Sequence, residues 1–462
     1  MKHFDVVVLG AGSAGELIAN DLASSGKSVA LVEKLRVGGE CAYVSCVPSK
    51  AMLKSAQVRD EAKNIVSFGG ASLELELDSD ADAFLTATHR RDQISENRDD
   101  NSAAANSIEL GVNLFRGEGN FLNATTLRVN DDDISWSNLV LATGSHASIP
   151  DVQGIKDIEF WTSDVALSQT GLPKSVAIIG GGPVGCELAE IYAAFGTDTK
   201  LLQFGAQLAD KEHPVIAEKL AENLEARGVS VQLNTNVVRL EKFLDQQTRV
   251  HLEDGTTIDV ERVIVATGRK PTTSGFNLEV LELELEKSGA LKVDEYCRAV
   301  GHTNIWAAGD VTGIAPYTHT ANYQGMIIVN NIEKLSMPAS YDAIPRAIYT
   351  NPPVVSVGKS FDFDAKTITV QAQNEISNTA RYLTDGGPGG LVILVADRAK
   401  GILIGASAIG PRADDWMSEV VLAIHAKIPI RVLADLVHGF PTYGEVLTKP
   451  LRELAAMCNP DN

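Results

Sequence analysis

The chain has 462 residues, which at about 150 residues per domain predicts several domains rather than a single core. Hydrophobic residues make up 44% and charged residues 22% of the sequence, a composition that excludes a disordered or fibrous protein. Sixty acidic and 40 basic residues give a net charge of −20, which disfavours nucleic acid and anionic membrane surfaces as partners. Five cysteines are too few for a disulfide scaffold and favour a reducing compartment. We therefore expect a cytoplasmic, multi-domain protein without nucleic-acid or membrane partners.

The N-terminal segment has the pattern of a dinucleotide-binding unit. An apolar, β-rich run from Phe4 to Leu9 precedes the sequence GAGSAG, and a helical stretch leads to a second apolar run that ends at Glu33. Glycines at such a turn let the main chain approach a pyrophosphate, whose charge lies at the N-terminus of the following helix. Glu33 stands 23 residues after Gly10, where an acidic side chain binds the ribose hydroxyls. An empty Rossmann turn is the alternative interpretation.

An internal repeat places the same pattern 170 positions later. An apolar run at 175–179 precedes the sequence GGGPVG, and a helical stretch leads to a second run at 201–202. Four positions match Gly10, Gly12, Gly15 and Glu33 without a gap, namely Gly180, Gly182, Gly185 and Gln203. Two dinucleotide sites in one chain predict electron transfer between two dinucleotides.

Three later apolar runs also end in small or acidic residues. The runs 139–144 and 263–268 both end in Ala-Thr-Gly, where small side chains permit a close approach of the backbone to a ligand. The run 305–310 ends in Gly309-Asp310, which would place a carboxylate beside a polyol chain. We expect the first two runs to complete the two dinucleotide-binding units.

The sequence changes character after about Ala343. Apolar runs at 354–357, 390–395 and 402–405 precede a helical stretch at 414–426, which predicts an α+β domain with an antiparallel sheet. The polar segment 78–106 carries several adjacent charges of both signs, and we interpret it as the solvated face of a helix.

Two cysteines, Cys41 and Cys46, follow the first repeat in the sequence GGECAYVSCVPSK. Cys46 precedes a helical run with a proline in its first turn, and a helix N-terminus favours the thiolate. A structural zinc site needs four ligands, and His3 is the one further candidate near in sequence, so we expect no metal. A reactive thiol pair beside a dinucleotide site provides an acceptor for two electrons.

These motifs together resemble the class I pyridine nucleotide-disulfide oxidoreductases, which include dihydrolipoamide dehydrogenase, glutathione reductase and mercuric reductase. The pattern GGxCxxxxCxPSK, two GxGxxG turns, two Ala-Thr-Gly strands and Ala-Ala-Gly-Asp carry the resemblance, which extends from Asp5 to Glu453. It implies an α/β fold with two Rossmann-like dinucleotide-binding domains plus a C-terminal α+β dimerisation domain. The implied boundaries are 1–148 and 271–342 for FAD, 149–270 for NAD(P), and 343–462 for dimerisation. It also implies a homodimer in which each active site is completed by the partner's C-terminal domain.

The resemblance assigns roles position by position. Cys46 would be the charge-transfer thiol that faces the flavin, Cys41 the interchange thiol that meets the substrate, and Lys50 would pair with Glu187 near the flavin. The implied FAD-binding residues are Gly10, Gly12, Gly15, Glu33, Lys50, Gly119, Thr143, Gly144, Ser145, Gly309 and Asp310. The implied NAD(P)-binding residues are Gly180, Gly182, Gly185, Glu187, Gln203 and Gly268.

The sequence departs from the family near its C-terminus. Dithiol-oxidising members carry a histidine base directly before a proline, with a glutamate shortly after it, whereas this chain has Phe440 before Pro441. A phenyl ring accepts no proton. His438, two residues earlier, is a candidate replacement, and Glu445 then lacks an imidazole to orient. Mercuric reductases use a nearby tyrosine and a vicinal cysteine pair, and here Tyr443 is present with the single Cys458.

We expect an FAD-dependent NAD(P)H oxidoreductase with a redox-active Cys41–Cys46 disulfide and a role in cell redox homeostasis. Its acceptor would be a small-molecule disulfide or a quinone. NADH is favoured over NADPH because Gln203 carries no positive charge for a 2′-phosphate. The alternatives are a flavin diaphorase or quinone reductase with regulatory or vestigial cysteines, a mercuric reductase-like enzyme, and a binding subunit of a larger complex without turnover.

Overall fold

The structure is a computed structural model that describes residues 1–67, 69–70, 77–244, 247–359 and 368–458. The chain divides into two units. The first consists of Met1–Ala51, Thr88–Ser148 and Gly268–Ser340, and the second of Met52–Ala87, Ile149–Thr267 and Tyr341–Asn462. The second unit contains residues 149–267 of the segment predicted to bind NAD(P), the segment predicted to dimerise, and residues 52–87. The predicted division into four segments stays a prediction.

The strands follow one another along the chain with these bounds: β1 Lys2–Leu9, β2 Val29–Glu33, β3 Asn113–Arg116, β4 Gly119–Asn123, β5 Thr126–Val129, β6 Asp132–Leu141, β7 Ser145–Ala147, β8 Phe160–Trp161, β9 Ser175–Ile179, β10 Asp198–Leu202, β11 Val229–Gln232, β12 Val237–Lys242, β13 Thr248–Leu252, β14 Thr257–Val260, β15 Arg262–Val265, β16 Arg269–Pro271, β17 Ile305–Ala307, β18 Pro345–Ile348, β19 Val354–Gly358, β20 Thr369–Glu375, β21 Leu391–Asp397 and β22 Ile402–Ile409.

The α-helices have these bounds: α1 Ser13–Ser24, α2 Gly39–Tyr43, α3 Cys46–Lys63, α4 Asp80–Ile94, α5 Asn101–Glu109, α6 Ser163–Ala166, α7 Pro183–Ala194, α8 Pro214–Ala226, α9 Thr318–Ile332, α10 Ala380–Asp385, α11 Ala413–Trp416, α12 Ser418–His425, α13 Ile430–Ala434 and α14 Thr448–Met457. Among the described residues, no helix has both the length and the apolar character that a bilayer span requires.

The first unit contains a seven-stranded sheet in the order β3-β2-β1-β6-β5-β4, with β17 beside β6. Strands β3, β2, β1, β6 and β17 are parallel, whereas β4, β5 and β6 form antiparallel pairs. Parallel strands are covered on both faces, which explains why β1 and β2 are nearly continuous apolar runs. Helix α1 packs against α9 and buries Ile18 and Leu22 in the core beside these strands. The carboxyl ends of β1 and β6 therefore lie next to the start of α1.

The second unit contains a parallel sheet in the order β11-β10-β9-β15-β8 and the antiparallel sheet β12-β13-β14. Its C-terminal part is an antiparallel five-stranded sheet in the order β18-β19-β22-β21-β20. Strands β19, β21 and β22 coincide with the three apolar runs, and helices α11 and α12 cover the predicted helical stretch. Two Rossmann-like folds and a C-terminal α+β domain confirm the predicted fold class.

The interpretation of segment 78–106 as a solvated helix face is wrong for part of α4. Arg91 is 1% exposed, and its Nε donates a hydrogen bond of 2.7 Å to Asp92 Oδ1. Arg98 pairs with the same carboxylate oxygen at 2.9 Å. A buried guanidinium is tolerated when a carboxylate pairs with it. Arg91 and Arg98 therefore share Asp92 as a partner, with Arg91 buried and the other two side chains partly exposed.

The aromatic ring of Phe84 gives a prediction about the second unit. Phe84 is 2% exposed, and its ring centroid lies 6.0 Å from Tyr192 and 5.4 Å from Phe195 on α7. We expect Phe84→Ala to destabilise this unit by about 3–5 kcal/mol, because it removes a buried ring and leaves a cavity. Leu85→Ala is the matched control, since Leu85 is 40% exposed and should cost much less. Urea unfolding followed by circular dichroism measures both, and equal effects would contradict the packing of α4 on α7.

Candidate active site

The first glycine turn lies between β1 and α1 and depends on two close approaches of the main chain. A Cβ on Gly10, which has a φ of +99°, would lie 2.3 Å from the carbonyl oxygen of Ala142 at the end of β6. A Cβ on Gly15 would lie 1.9 Å from the carbonyl oxygen of Gly10. Gly12 differs, because nothing lies within 4 Å of its Cβ position at the N-terminus of α1. Gly10 and Gly15 shape the turn, and Gly12 leaves an open space at the positive end of the helix.

Glu33 at the end of β2 anchors this turn. Its Oε2 accepts a hydrogen bond of 2.7 Å from the Ala11 N–H inside the glycine sequence. Its Oε1 accepts from the N–H of Leu35 at 2.6 Å and of Arg36 at 3.2 Å. Oε2 keeps further acceptor capacity, since a carboxylate accepts about four hydrogen bonds, two at each oxygen. The carboxylate therefore holds the turn in place, and the same group is available to a ribose hydroxyl.

The second glycine turn repeats this geometry between β9 and α7. A Cβ on Gly180, with a φ of +110°, would lie 2.5 Å from the Ala266 carbonyl oxygen, and one on Gly185 would lie 1.9 Å from the Gly180 carbonyl oxygen. Gly182 again has nothing within 4 Å of its Cβ position. The sequence repeat is thus a repeat of main-chain contacts, including the open space at the helix N-terminus.

Gln203 occupies the position of Glu33 in the second turn. Its Oε1 accepts a hydrogen bond of 2.8 Å from the Gly181 N–H, and its Nε2 lies 3.0 Å from the Cβ position of Gly205. The neutral amide therefore performs the same anchoring as the carboxylate and presents an N–H donor in addition. Phe204, the next residue, is 74% exposed.

Asp310 and Ser145 meet at the carboxyl ends of β6 and β17. The Ser145 Oγ donates to Asp310 Oδ2 at 2.5 Å, and the main-chain N–H of Gly309 donates to Gln324 Oε1 at 2.7 Å. Gln324 is fully buried on α9 and thereby fixes the turn that carries Asp310. Sequence reasoning missed Gln324, because no motif marks a buried glutamine in a helix.

The remaining residues predicted to bind FAD lie in the first unit as well. Thr143 Oγ1 donates to the Thr272 carbonyl oxygen at 2.7 Å, and Gly144 has a φ of +68°. Gly119 begins β4, where a Cβ would lie 2.8 Å from the Leu9 side chain. Gly268, predicted to bind NAD(P), also lies in this unit and accepts a hydrogen bond from Ser148. Their contacts to a cofactor stay predictions.

Arg269 joins the segment with the thiols to the Asp310 turn. Its Nη2 donates to Glu40 Oε2 at 2.6 Å, and its Nε donates to Ser145 Oγ at 2.7 Å. Arg269 Nε lies 3.9 Å from Asp310 Oδ2. Glu40 immediately precedes Cys41 on α2, so this ion pair restrains the position of the first thiol. Sequence reasoning missed the role of Glu40.

Cys41 and Cys46 lie together in the first unit as free thiols around the hydroxyl of Thr318. Thr318 Oγ1 lies 3.0 Å from Cys41 Sγ and 3.5 Å from Cys46 Sγ. A hydrogen bond from Cys41 lowers the pKa of Cys46 to about 5, with further help from Thr318 and the positive charge of Lys50. The same contact and burial raise the pKa of Cys41. Both shifts favour the negative charge of the reduced pair on Cys46 over Cys41.

Lys50 and Glu187 lie in different units, and their predicted pairing stays a prediction. Lys50 Nζ donates to Ser49 Oγ at 3.3 Å on the first turns of α3. Glu187 on α7 is 6% exposed, and its Oε1 accepts a hydrogen bond of 3.0 Å from the Tyr349 N–H. Glu190, one turn along, accepts from the Asn351 N–H, and burial raises its pKa to about 7.

The C-terminal turn places its candidate residues in separate surroundings. Phe440 is 79% exposed. The His438 ring is nearly buried, with Nε2 at 3.2 Å from Glu419 Oε2 and Nδ1 at 3.0 Å from Thr448 Oγ1. Tyr443 is buried and donates to Asp385 Oδ2 at 3.3 Å, and burial, together with the Asp385 carboxylate, raises its pKa. His438 and Tyr443 thus both have structural partners within the C-terminal domain.

Glu445 forms a helix cap. Its Oε1 accepts from the Thr442 N–H at 3.0 Å, while the Thr442 side chain accepts from the main chain of residue 445, which is a complete capping box at Tyr443–Leu447. The sequence signal Thr-x-x-Glu is typical of this motif and would have identified it. The glutamate therefore has a local structural partner other than an imidazole.

Comparison with known proteins identifies the family. The sequence profile of the pyridine nucleotide-disulphide oxidoreductases matches residues 4–325, and the profile of their dimerisation domain matches residues 344–451. The chain belongs to this family. It is 30% identical over 454 residues to dihydrolipoyl dehydrogenase from Geobacillus stearothermophilus, covering 96% of this chain and 94% of that protein. It is 28% identical to mercuric reductase from Staphylococcus aureus, over 96% of this chain and 81% of the relative.

Solved structures show the same fold. The Cu(II) complex of the HOCl-induced flavoprotein disulfide reductase RclA from Escherichia coli superposes with a TM-score of 0.86 at 24% identity, covering 98% of this chain and all of that chain. Members of the family are oxidoreductases that use FAD and a pyridine nucleotide. The open Cβ position of Gly12, the positive end of α1 and the Ser145–Asp310 pair fit FAD in the first unit. The equivalent space at Gly182 fits the nicotinamide nucleotide in the second.

The open positions of Gly12 and Gly182 give a pair of matched variants. Gly12→Ala and Gly182→Ala should both fold, because both residues have φ values near −70° and free space at Cβ. We expect Gly12→Ala to lower FAD content severalfold and Gly182→Ala to raise the KM for the nicotinamide nucleotide with full FAD content, because each methyl intrudes on one pyrophosphate. Flavin absorbance per chain and steady-state kinetics measure these effects. Reduced FAD content in Gly182→Ala alone would reverse the assignment of the two sites.

Proposed function

We propose that this chain is a homodimeric FAD-dependent NAD(P)H oxidoreductase whose Cys41–Cys46 pair cycles between disulfide and dithiol. A small-molecule disulfide or a quinone is its acceptor. The observation that carries this proposal is the pair of thiols around the Thr318 hydroxyl, and the lowered pKa of Cys46 favours the negative charge on that sulfur. Bound FAD supplies the two-electron connection between the nicotinamide nucleotide and the thiols.

The residues of the chain have distinct tasks in this reaction. The two glycine turns bind the pyrophosphates at the N-termini of α1 and α7, and Glu33 and Gln203 orient the two riboses. Ser145 and Asp310 bind the polyol chain of FAD, and the Glu40–Arg269 ion pair restrains α2 beside them. Cys46 holds the negative charge, and Cys41 meets the acceptor. Lys50 stabilises that charge.

Our choice of electron acceptor rests on the residues of the C-terminal turn. In the homodimer this turn would contribute to the partner's active site, and the position before its proline is Phe440 rather than a proton-accepting group. His438 is held by Glu419 and Thr448, which leaves it without a free ring nitrogen for an acceptor. Oxidation of a dithiol such as dihydrolipoamide needs a positioned base, whereas electron transfer to a quinone needs none. We therefore place quinones and reactive disulfides ahead of dihydrolipoamide.

The wild-type protein should oxidise dihydrolipoamide about 10²–10⁴-fold more slowly than an enzyme with a positioned base, and should reduce small quinones well. Phe440→His should raise dihydrolipoamide turnover at least tenfold if the turn keeps its geometry, because an imidazole then faces the interchange thiol. Steady-state assays with both substrates measure this change.

Phe440→Leu is the control, because it removes the ring without adding a base and should leave dihydrolipoamide turnover low. His438→Ala should lower the thermal stability of the protein, since it removes contacts to Glu419 and Thr448. Rapid dihydrolipoamide oxidation by the wild type that His438→Ala abolishes would instead identify His438 as the base.

The mercuric reductase-like alternative receives less support from the structure. The Tyr443 hydroxyl is occupied by Asp385, and burial raises the pKa of Cys458, which is the single cysteine near the C-terminus. Soft metal ions are bound by thiolates, so a lone protonated thiol is a poor relay. A quinone reductase that bypasses the thiols is the second candidate, because the missing base at position 440 does not impede it.

We favour NADH over NADPH as reductant. The loop after β10 presents the neutral amide of Gln203, and the first cation beyond it is Lys211. The Gln203 amide donates hydrogen bonds to a ribose but gives no charge to a 2′-phosphate. We therefore expect a modest preference for NADH with relaxed discrimination.

Gln203→Glu should raise the ratio of kcat/KM for NADH to kcat/KM for NADPH by about tenfold, because a carboxylate accepts from the ribose hydroxyls and repels the phosphate. The anchoring should survive, since Glu33 holds Ala11 with the same type of contact. Gln207→Glu, in the same loop, controls for a general change of charge. A wild-type kcat/KM for NADPH more than about tenfold above that for NADH would contradict this preference.

A further inference from the structure

One hydroxyl serves both sulfur atoms of the thiol pair. Thr318, the first residue of α9, lies 277 positions from Cys41 and 272 from Cys46, and its Oγ1 is 3.0 Å from the first sulfur and 3.5 Å from the second. Both distances are within hydrogen-bond range for sulfur. No other side-chain hydroxyl in the described part of the chain contacts both cysteines in this way; Ser45 lies 4.0 Å from Cys46 alone.

A threonine hydroxyl has a single proton, so it donates to one of the two sulfurs at a time. Rotation about the Cβ–Oγ1 bond moves that proton from one sulfur to the other without displacing the backbone. Hydrogen bonds to a charged acceptor are stronger than those to a neutral one. The hydroxyl therefore favours whichever sulfur carries the negative charge.

We propose that Thr318 is a positioning residue whose hydroxyl follows the negative charge between Cys46 and Cys41 during disulfide exchange. This inference rests on the proposed function of the Cys41–Cys46 pair. The Thr318 hydroxyl belongs to the same chain and the same unit as both thiols.

The exchange balances without an external base. Two electrons and one proton break the Cys41–Cys46 bond and leave a thiolate on Cys46 and a thiol on Cys41. Cys41 passes its proton to Cys46, and the Cys41 thiolate attacks a disulfide RSSR′ to form a mixed disulfide and expel R′S⁻. Cys46 returns the proton to R′S⁻, and its thiolate then attacks the Cys41 sulfur, restores the disulfide and expels RS⁻. Thr318 donates first to Cys46, then to Cys41, then again to Cys46.

Thr320 supplies a matched control on the same helix. It is 1% exposed, and its Oγ1 makes no hydrogen bond within the described residues. Thr318→Val and Thr320→Val therefore both remove a threonine Oγ1, from positions two residues apart. Thr318→Val is the variant that also removes a contact to the thiols. Thr318→Ser keeps the hydroxyl, and Thr318→Ala removes it without adding a methyl group.

The test measures the rate at which iodoacetamide alkylates each cysteine of the reduced holoenzyme between pH 4 and pH 9, by peptide mass spectrometry. The wild type should show an inflection near the Cys46 pKa of about 5. In Thr318→Val and Thr318→Ala we expect that pKa to rise by about one, because a charge-assisted hydrogen bond is lost. We also expect these two variants to reduce a small aromatic disulfide more slowly than the wild type does. Thr318→Ser and Thr320→Val should keep the wild-type profile.

The outcomes separate this inference from the proposed function. A low-pKa thiolate that is unchanged in Thr318→Val and Thr318→Ala overturns the role of Thr318 and leaves the thiol pair in place. A wild type without any low-pKa thiolate, in which Cys41→Ser retains disulfide reduction, overturns both. An equal rise of the Cys46 pKa in Thr320→Val also overturns the inference, because it would reflect a general disturbance of α9.

Discussion

Both nucleotide-binding turns depend on one close contact between main-chain atoms. The first glycine of each turn lies against the carbonyl oxygen of an alanine at the end of the neighbouring parallel strand, Ala142 in one case and Ala266 in the other. A Cβ would lie 2.3 or 2.5 Å from that oxygen, which no side chain tolerates. This contact brings the turn down onto the sheet and fixes the position of the N-terminus of α1 or α7. The alanine of each Ala-Thr-Gly sequence therefore forms the contact that the first glycine of the turn requires. More than 80 residues separate the two sequences along the chain.

A second contact holds each turn from the opposite side. The Ala11 N–H donates to Glu33, and the Gly181 N–H donates to Gln203, so the residue that we propose to bind the ribose also holds the turn in place. A side chain with a carbonyl-type oxygen is needed at this position for the fold, whereas its charge is free to vary. The change from glutamate to glutamine between the two repeats therefore alters the charge at this position and keeps the contact that holds the turn. Nucleotide specificity can diverge here at little cost in stability.

The sequence predicted those parts of the structure that local patterns encode. The order and approximate positions of β1, α1, β2 and their repeats follow from apolar runs and glycine spacing, and the antiparallel C-terminal sheet follows from its runs at 354–357, 390–395 and 402–405. The partners of individual polar groups were not predictable, because they come from distant segments. Thr318 meets Cys41 across 277 positions, and Arg91 is buried through its contact with Asp92. The capping role of Glu445 was predictable from the sequence, since a capping box is a local pattern.

The C-terminal turn bears on our proposal that the thiol pair handles the proton chemistry. His438 is joined to Glu419 and Thr448, and Glu445 caps the helix that follows Thr442. These residues keep the turn folded, and none of them projects a free base, while the exposed position before the proline is Phe440. We therefore propose that a proton that leaves Cys41 is accepted by a group of the first unit. In the proposed exchange Cys46 is that acceptor, because both sulfurs lie around the Thr318 hydroxyl; its lowered pKa makes it a weak acceptor that releases the proton readily. A thiolate of low pKa is a weaker nucleophile and a better leaving group, so this arrangement favours acceptors that are themselves easily reduced.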